Sequence, residues 1–132
     1  MALQNGTILD GATVSASGGT SKTLVADGVE VVSGIHLIDS SNPDVTTQLS
    51  MTAKAKPATL DSKTGKWTKA KSQLTVTIPQ VIDTVQEFPS VFITFSCHPK
   101  MTAAEKLRVR AIAAQTLIDA DFTAFWDIGS KA

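Results

Sequence analysis

Val91-Phe-Ile-Thr-Phe-Ser-Cys-His98, followed by Pro99-Lys-Met101 and a run without Gly or Pro from Thr102 to Ile128, decides the fold. Val91, Ile93, Phe95 and Cys97 alternate with Phe92, Thr94, Ser96 and His98, the period of a strand with one buried face. Pro99 ends it, because proline donates no ladder hydrogen bond. Thr102-Ala-Ala-Glu105 is a capping box that opens a helix. Leu107, Ala111, Ala114, Ile118, Phe122 and Phe125 then recur at steps of three and four, which is one helix face. The tail is expected to bend near Asp119 to Asp121 into two helices. Its apolar stripe raises the question of what covers it.

Upstream, residues 1–26 read as a hairpin. Gly6–Asp10 and Ala12–Ser15 are the short strand-like pieces, Ser17-Gly-Gly-Thr-Ser21 the turn and Lys22–Ala26 the return strand. Asp27-Gly28 is a second turn signal. Val29–Ile38 is a strand with Gly34 as its bulge, and Asp39–Asp44 a loop. Val45–Lys56 is a strand with Leu49, Met51, Ala53 and Ala55 on one side and Ser50, Thr52, Lys54 and Lys56 on the other. Trp67–Ile78 is its partner, with Leu74, Val76 and Ile78 inward and Lys69, Lys71, Gln73, Thr75 and Thr77 outward. Gln80–Pro89 is a connecting loop. Strands first and helices last give an α+β chain with an antiparallel sheet. Residues 1–132 are expected to form a single domain: a hairpin to 26, a sheet over 27–98 and helices over 99–132.

Composition narrows the function. Net charge is zero and charged residues are 18%, so bulk charge points to neither nucleic acid nor membrane. No apolar run reaches a membrane span, and the N-terminus does not read as a signal peptide. One cysteine excludes an internal disulfide and a cysteine-rich metal site. Cys97 and His98 point to opposite faces of a strand, so they make a poor nucleophile–base pair. His36 and His98 lack metal-ligand spacing. No cofactor, metal or enzymatic activity is expected.

Charge is unevenly placed. Lys54, Lys56, Lys63, Lys66, Lys69 and Lys71 are six of the twelve basic residues, opposed only by Asp61. A basic, hydroxyl-rich sheet face suits phosphate contacts. It equally suits a solvated hairpin whose lysines deter edge pairing. Phe92 falls on the polar side, either as a stacking platform for a base or as packing against a neighbouring segment.

The ordered set Ser17-Gly-Gly-Thr20, Ala26-Asp-Gly-Val29, Thr75-Val-Thr-Ile-Pro79 and Ile93-Thr-Phe-Ser96, followed by Thr102, Glu105 and Val109-Arg110, resembles the coat proteins of single-stranded RNA bacteriophages, the levivirus group. The resemblance covers nearly the whole chain. It implies a five-stranded sheet and two C-terminal helices that interlock with a partner subunit in a homodimer. It further implies an icosahedral shell in the virion, assembled from protein made in the bacterial host cytoplasm, with the open sheet face on genomic RNA. On that face it implies an operator hairpin, bound to repress replicase translation. The family's RNA-contact positions fall on Val29, Ser50, Thr52, Gln73 and Thr75; Lys54, Lys56 and Lys71 add phosphate contacts. The family's stacking position falls on Ser90 and its following polar position on Phe92: either the stacking role moves to Phe92, or the chain reads a different hairpin, or it lacks tight operator binding. Leu107, Ala111, Ala114, Ile118, Phe122 and Phe125 would meet the partner. Gln80, Asp83, Gln86, Glu87 and Pro89 would lie in the assembly loop. A cellular RNA-binding module using the same lysine-bearing face is the alternative.

Overall fold

The structure is a computed structural model and describes residues 3–131. It falls into two compact units: the described residues up to Gly18 together with those from Lys100 onward, and residues 19–99.

The second unit is a sheet. Its strands are β1 (Leu24–Val31), β2 (Gly34–Asp39), β3 (Ser50–Lys56), β4 (Ala70–Thr77) and β7 (Ser90–Cys97), all antiparallel in the order β1-β2-β3-β4-β7. A small separate ladder pairs β5 (Gln80–Ile82) with β6 (Val85–Glu87). Register sorts the side chains because partners across a ladder share a face. One face carries Ile35, Ala53, Leu74 and Ile93 as one row and Leu37, Met51, Val76 and Val91 as another. The opposite face carries His36, Thr52, Thr75 and Phe92, with Ser50, Thr77 and Ser90 on one side and Lys54, Gln73 and Thr94 on the other. The two-sided pattern read from β3, β4 and β7 therefore holds across four strands.

Several boundaries differ from the expectation. Val29–Ile38 is not one strand. Val32-Ser33 makes a two-residue turn, with Ser33 at φ 60°, and separates β1 from β2. Gly34 is a close approach rather than a bulge: a Cβ there would overlap the Ala53 carbonyl. The bulge lies in β1, between Ala26 and Glu30, where Asp27-Gly28 stands with Gly28 at φ 83°. The alternation read from Val45 becomes a ladder only at Ser50. Before it, Asp44 Oδ1 accepts from the Thr46 amide and hydroxyl, which commits the chain to a turn. Gln80–Pro89 is not an irregular loop but the β5–β6 hairpin. Its turn residues Asp83 and Thr84 both have positive φ, at 51° and 65°, the requirement of a type I′ turn met without the usual glycine.

The first unit is helical. Helix α1 (Ala103–Ile118) starts at Thr102, whose hydroxyl accepts from the Glu105 amide at 3.2 Å. It ends at Asp119. A 3-10 turn (Ala120–Phe122) leads into α2 (Thr123–Ile128), closed by Gly129 in the left-handed region. The expected bend at 119–121 is present. The Trp126 indole donates to the Thr116 carbonyl at 2.6 Å and ties α2 to α1.

The hairpin expected over 1–26 does not form in the described residues. Among the described residues no strand occurs before Leu24. Helix side chains take the hydrogen bonds a hairpin would have used. Gln115 accepts from the Leu9 amide at 2.7 Å and donates to the Leu9 carbonyl at 2.9 Å. Asp121 accepts from both the amide and the hydroxyl of Thr7 at 2.9 Å. Arg108 holds Asp10 with two bonds of 2.6 and 2.7 Å. That last pair is exposed and adds little stability.

The chain buries little of its apolar surface. Among the described residues the buried hydrophobic ones are Cys97, Ala111 and Phe122, and no side chain is fully buried. On the apolar sheet face Ile35, Val91 and Ile93 are 40–47% exposed. On the helices Ile118 is 72% exposed.

Candidate nucleic-acid interface

Cross-strand pairing assembles the polar sheet face. Thr52 stands opposite Thr75, Lys54 opposite Gln73 and Lys56 opposite Lys71. Thr75 stands opposite Phe92 in turn, and Gln73 opposite Thr94. Hydroxyls, an amide and ammonium groups thus form a block one strand-spacing apart, about 5 Å. Phe92 is 77% exposed. Thr52, Thr75 and Ser50 are half-buried, while Lys54, Lys56, Lys71 and Gln73 are exposed. Thr77 and Ser90 share a hydroxyl hydrogen bond of 2.9 Å at the end of the block. Ser90 is small, so Phe92 is the aromatic surface in this part of the face.

Val29 lies within the β1 bulge and is 57% exposed. Its amide donates to Asp27 Oδ1 at 3.0 Å, and Asp27 Oδ2 meets His36 Nδ1 at 2.6 Å. The Val29 amide, then the His36 ring, holds the Asp27 carboxyl below the ordinary carboxylate range. His36 shares a row with Thr52, Thr75 and Phe92. The sequence did not mark it as part of this face, because its alignment depends on the turn at Val32-Ser33. Phosphate and base-edge contacts need this donor and acceptor chemistry. Cys97 is buried. Among the described residues no group of three or more His, Cys, Asp or Glu side chains could hold a metal.

The other expected positions are elsewhere. Ala111 and Phe122 are buried, Leu107 is 58% exposed, and Ala114 and Phe125 are half-buried. Phe122 lies close to Gly6. Gln80 and Glu87 pair across the β5–β6 hairpin, Asp83 is in its turn, and Pro89 follows it. Gln86 donates to the Thr46 carbonyl at 2.9 Å, which fastens that hairpin to the loop before β3. No described helix is long and apolar enough to cross a membrane.

The chain is similar in structure to the virus-like particle of bacteriophage GQ-907. The TM-score is 0.90 at 31% sequence identity, covering 99% of this chain and 100% of that one. It belongs to the coat proteins of the levi-like single-stranded RNA bacteriophages. The virus-like particles of bacteriophage AVE019 and Beihai levi-like virus 21 share the fold of this coat protein. Their TM-scores are 0.64 and 0.58, each at 12% identity, covering 88% and 89% of this chain and 92% and 93% of theirs. No protein-family model and no curated protein matches the chain. The α+β reading, with a five-stranded antiparallel sheet and two C-terminal helices, is the coat-protein fold. Sequence parity found Ser50, Thr52, Lys54, Lys56, Lys71, Gln73, Thr75 and Phe92, and the coat-protein sheet brings all eight to one face.

Proposed function

We propose that this coat protein dimerises, assembles into an icosahedral shell and holds genomic RNA against its polar sheet face. The observation that carries the proposal is unburied apolar surface. Ile35, Val91 and Ile93 on the sheet, and Leu107 and Ile118 on α1, are the exposed residues a second copy would cover.

Strand β7 is an edge strand. Its open backbone groups support sheet-to-sheet joining between two copies. The partner's helices would then cross the apolar face, and the polar face would line the shell interior. There Lys54, Lys56 and Lys71 meet phosphates, and Ser50, Thr52, Gln73 and Thr75 offer hydroxyl and amide contacts. Phe92 stacks an unpaired base. An RNA hairpin held on this face would block replicase translation. The role is structural, in the virion, after synthesis in the host cytoplasm.

Expression of the chain alone tests the reading. It should elute near the void volume of a sizing column, show round particles by negative-stain microscopy and carry RNA absorbance. A monodisperse 13.9 kDa monomer would refute it.

A further inference from the structure

The β3–β4 hairpin continues beyond its regular ladder. Strands β3 and β4 pair without a bulge from Ser50 opposite Thr77 to Lys56 opposite Lys71. Further out, the Thr68 amide donates to the Thr59 carbonyl at 2.8 Å. Leu60 bridges Trp67 in antiparallel sense. The Asp61 amide donates to the Lys66 carbonyl at 2.8 Å. These three pairs keep the register of the ladder behind them. Facing pairs alternate sides of such a ribbon. Counting outward from Lys54 and Lys56, Lys69 and then Leu60 with Trp67 fall on the side that carries Thr52, Thr75 and Phe92.

The tip is a built structure. The Thr59 and Thr68 hydroxyls lie 2.9 Å apart, and the Thr59 amide donates to Thr68 Oγ1 at 2.8 Å. Asp61 Oδ1 accepts from the Lys63 amide at 2.9 Å, and the Gly65 amide donates to the Asp61 carbonyl at 2.8 Å. The one carboxylate of the tip is thus engaged by its own turn. The Lys63 amide, then the Thr64 hydroxyl, holds it below the ordinary carboxylate range. Lys63, Lys66 and Lys69 are exposed around it. Trp67 is 39% exposed and Leu60 52%.

We propose that this tip, residues 57–69, is a second contact for single-stranded RNA. Trp67 stacks an unpaired base, and Lys69 on the same side, with Lys63 in the adjoining turn, holds the neighbouring phosphates. The proposal rests on the polar sheet face being the RNA side, and extends that side outward. Trp67 is eight residues from Thr75, the partner of Phe92, so the two aromatic platforms stand about 27 Å apart at ~3.4 Å per residue. Lys54, Lys56, Lys69 and Lys71 lie along the path between them. Lysines beside an indole favour a polyanion. A second copy of this chain, with zero net charge, offers them no general attraction.

Ultraviolet cross-linking of RNA inside purified particles, read by peptide mass spectrometry, tests this. Nucleotide adducts are expected on the peptide 67–69 and on the one carrying Phe92. Trp67→Ala should remove the first and weaken oligouridylate binding by the dissociated protein about 5- to 100-fold. Trp67→Phe should bind within about threefold of the parent, because it keeps a π-face. Lys71→Glu reports on the sheet face itself. If Lys71→Glu weakens binding while Trp67→Ala does not, and peptide 67–69 carries no adduct, the tip contact is overturned and the sheet face stands. If neither substitution matters, both readings fall. If Trp67→Ala abolishes particles with oligouridylate affinity unchanged, the tip is a contact between copies and the proposal is wrong.

Discussion

Replacing Gln115 by Ala should release the N-terminal segment from the helix. Gln115 is 5% exposed. Its carboxamide accepts from the Leu9 amide at 2.7 Å and donates to the Leu9 carbonyl at 2.9 Å. Each neutral hydrogen bond is worth about 1 kcal/mol net, because the freed groups rebond to water. The Leu9 residue is 71% exposed, so water reaches it and no further desolvation penalty is added. The expected cost is about 2 kcal/mol, from two bonds lost together. That corresponds to roughly 30-fold faster opening of the segment, since about 1.4 kcal/mol is a factor of ten. Amide hydrogen exchange of peptides over residues 3–14 measures it directly. Gln115→Glu should cost about 1 kcal/mol at neutral pH, because its carboxylate still accepts from the Leu9 amide but cannot donate to the Leu9 carbonyl. Unchanged protection at Leu9 in both variants would refute the claim that helix side chains, rather than a strand partner, hold this segment.

Gly34→Ala should cost about 2–4 kcal/mol, read as a lower denaturant midpoint, because its Cβ meets the Ala53 carbonyl and one strand must shift. An unchanged midpoint would mean that β2 and β3 are not so close. Charge reversal of Lys54, Lys56 and Lys71 together should lower particle RNA content more than it lowers assembly, and flatten the salt dependence of RNA binding by about 2 in log–log slope. Equal loss of RNA and assembly would make these lysines structural. Acid should destabilise the protein below about pH 4. Arg108 beside Asp10, the Thr7 amide and hydroxyl on Asp121, and the Ser41 hydroxyl and amide on Asp39 hold those carboxyls below their ordinary range. Lowered folded-state values mean that this stabilisation is present above the unfolded pKa and lost as pH falls through the folded one. A melting temperature constant down to pH 2 would contradict it.

Much of the sheet was legible because its two faces see different surroundings. Alternation at Leu74, Val76, Ile93 and Phe95 marks the apolar side, and Ser50, Thr52, Gln73 and Thr75 the polar one. The Thr102 cap was legible for a local reason, a hydroxyl three residues before the Glu105 amide that donates to it; the break at Asp119 was expected from the family resemblance, since Leu107 to Phe125 keep one helical phase. The N-terminal segment was not. Its glycines and β-branched residues fit a hairpin, but its partners are Gln115 and Asp121, more than a hundred residues away. The β5–β6 turn was missed because Asp83-Thr84 reaches positive φ without glycine. His36 was missed on the polar face because its place depends on where a turn sets the register, and a one-residue slip sends a side chain to the other face.

A cryo-electron-microscopy reconstruction of the purified particle should show density for RNA against Thr52, Lys54, Gln73, Thr75 and Phe92 on the inner surface, with a second copy's helices across Ile35, Leu74 and Ile93. A shell in which the polar face is covered by protein or turned outward, or in which the apolar face stays open, would contradict the proposed function.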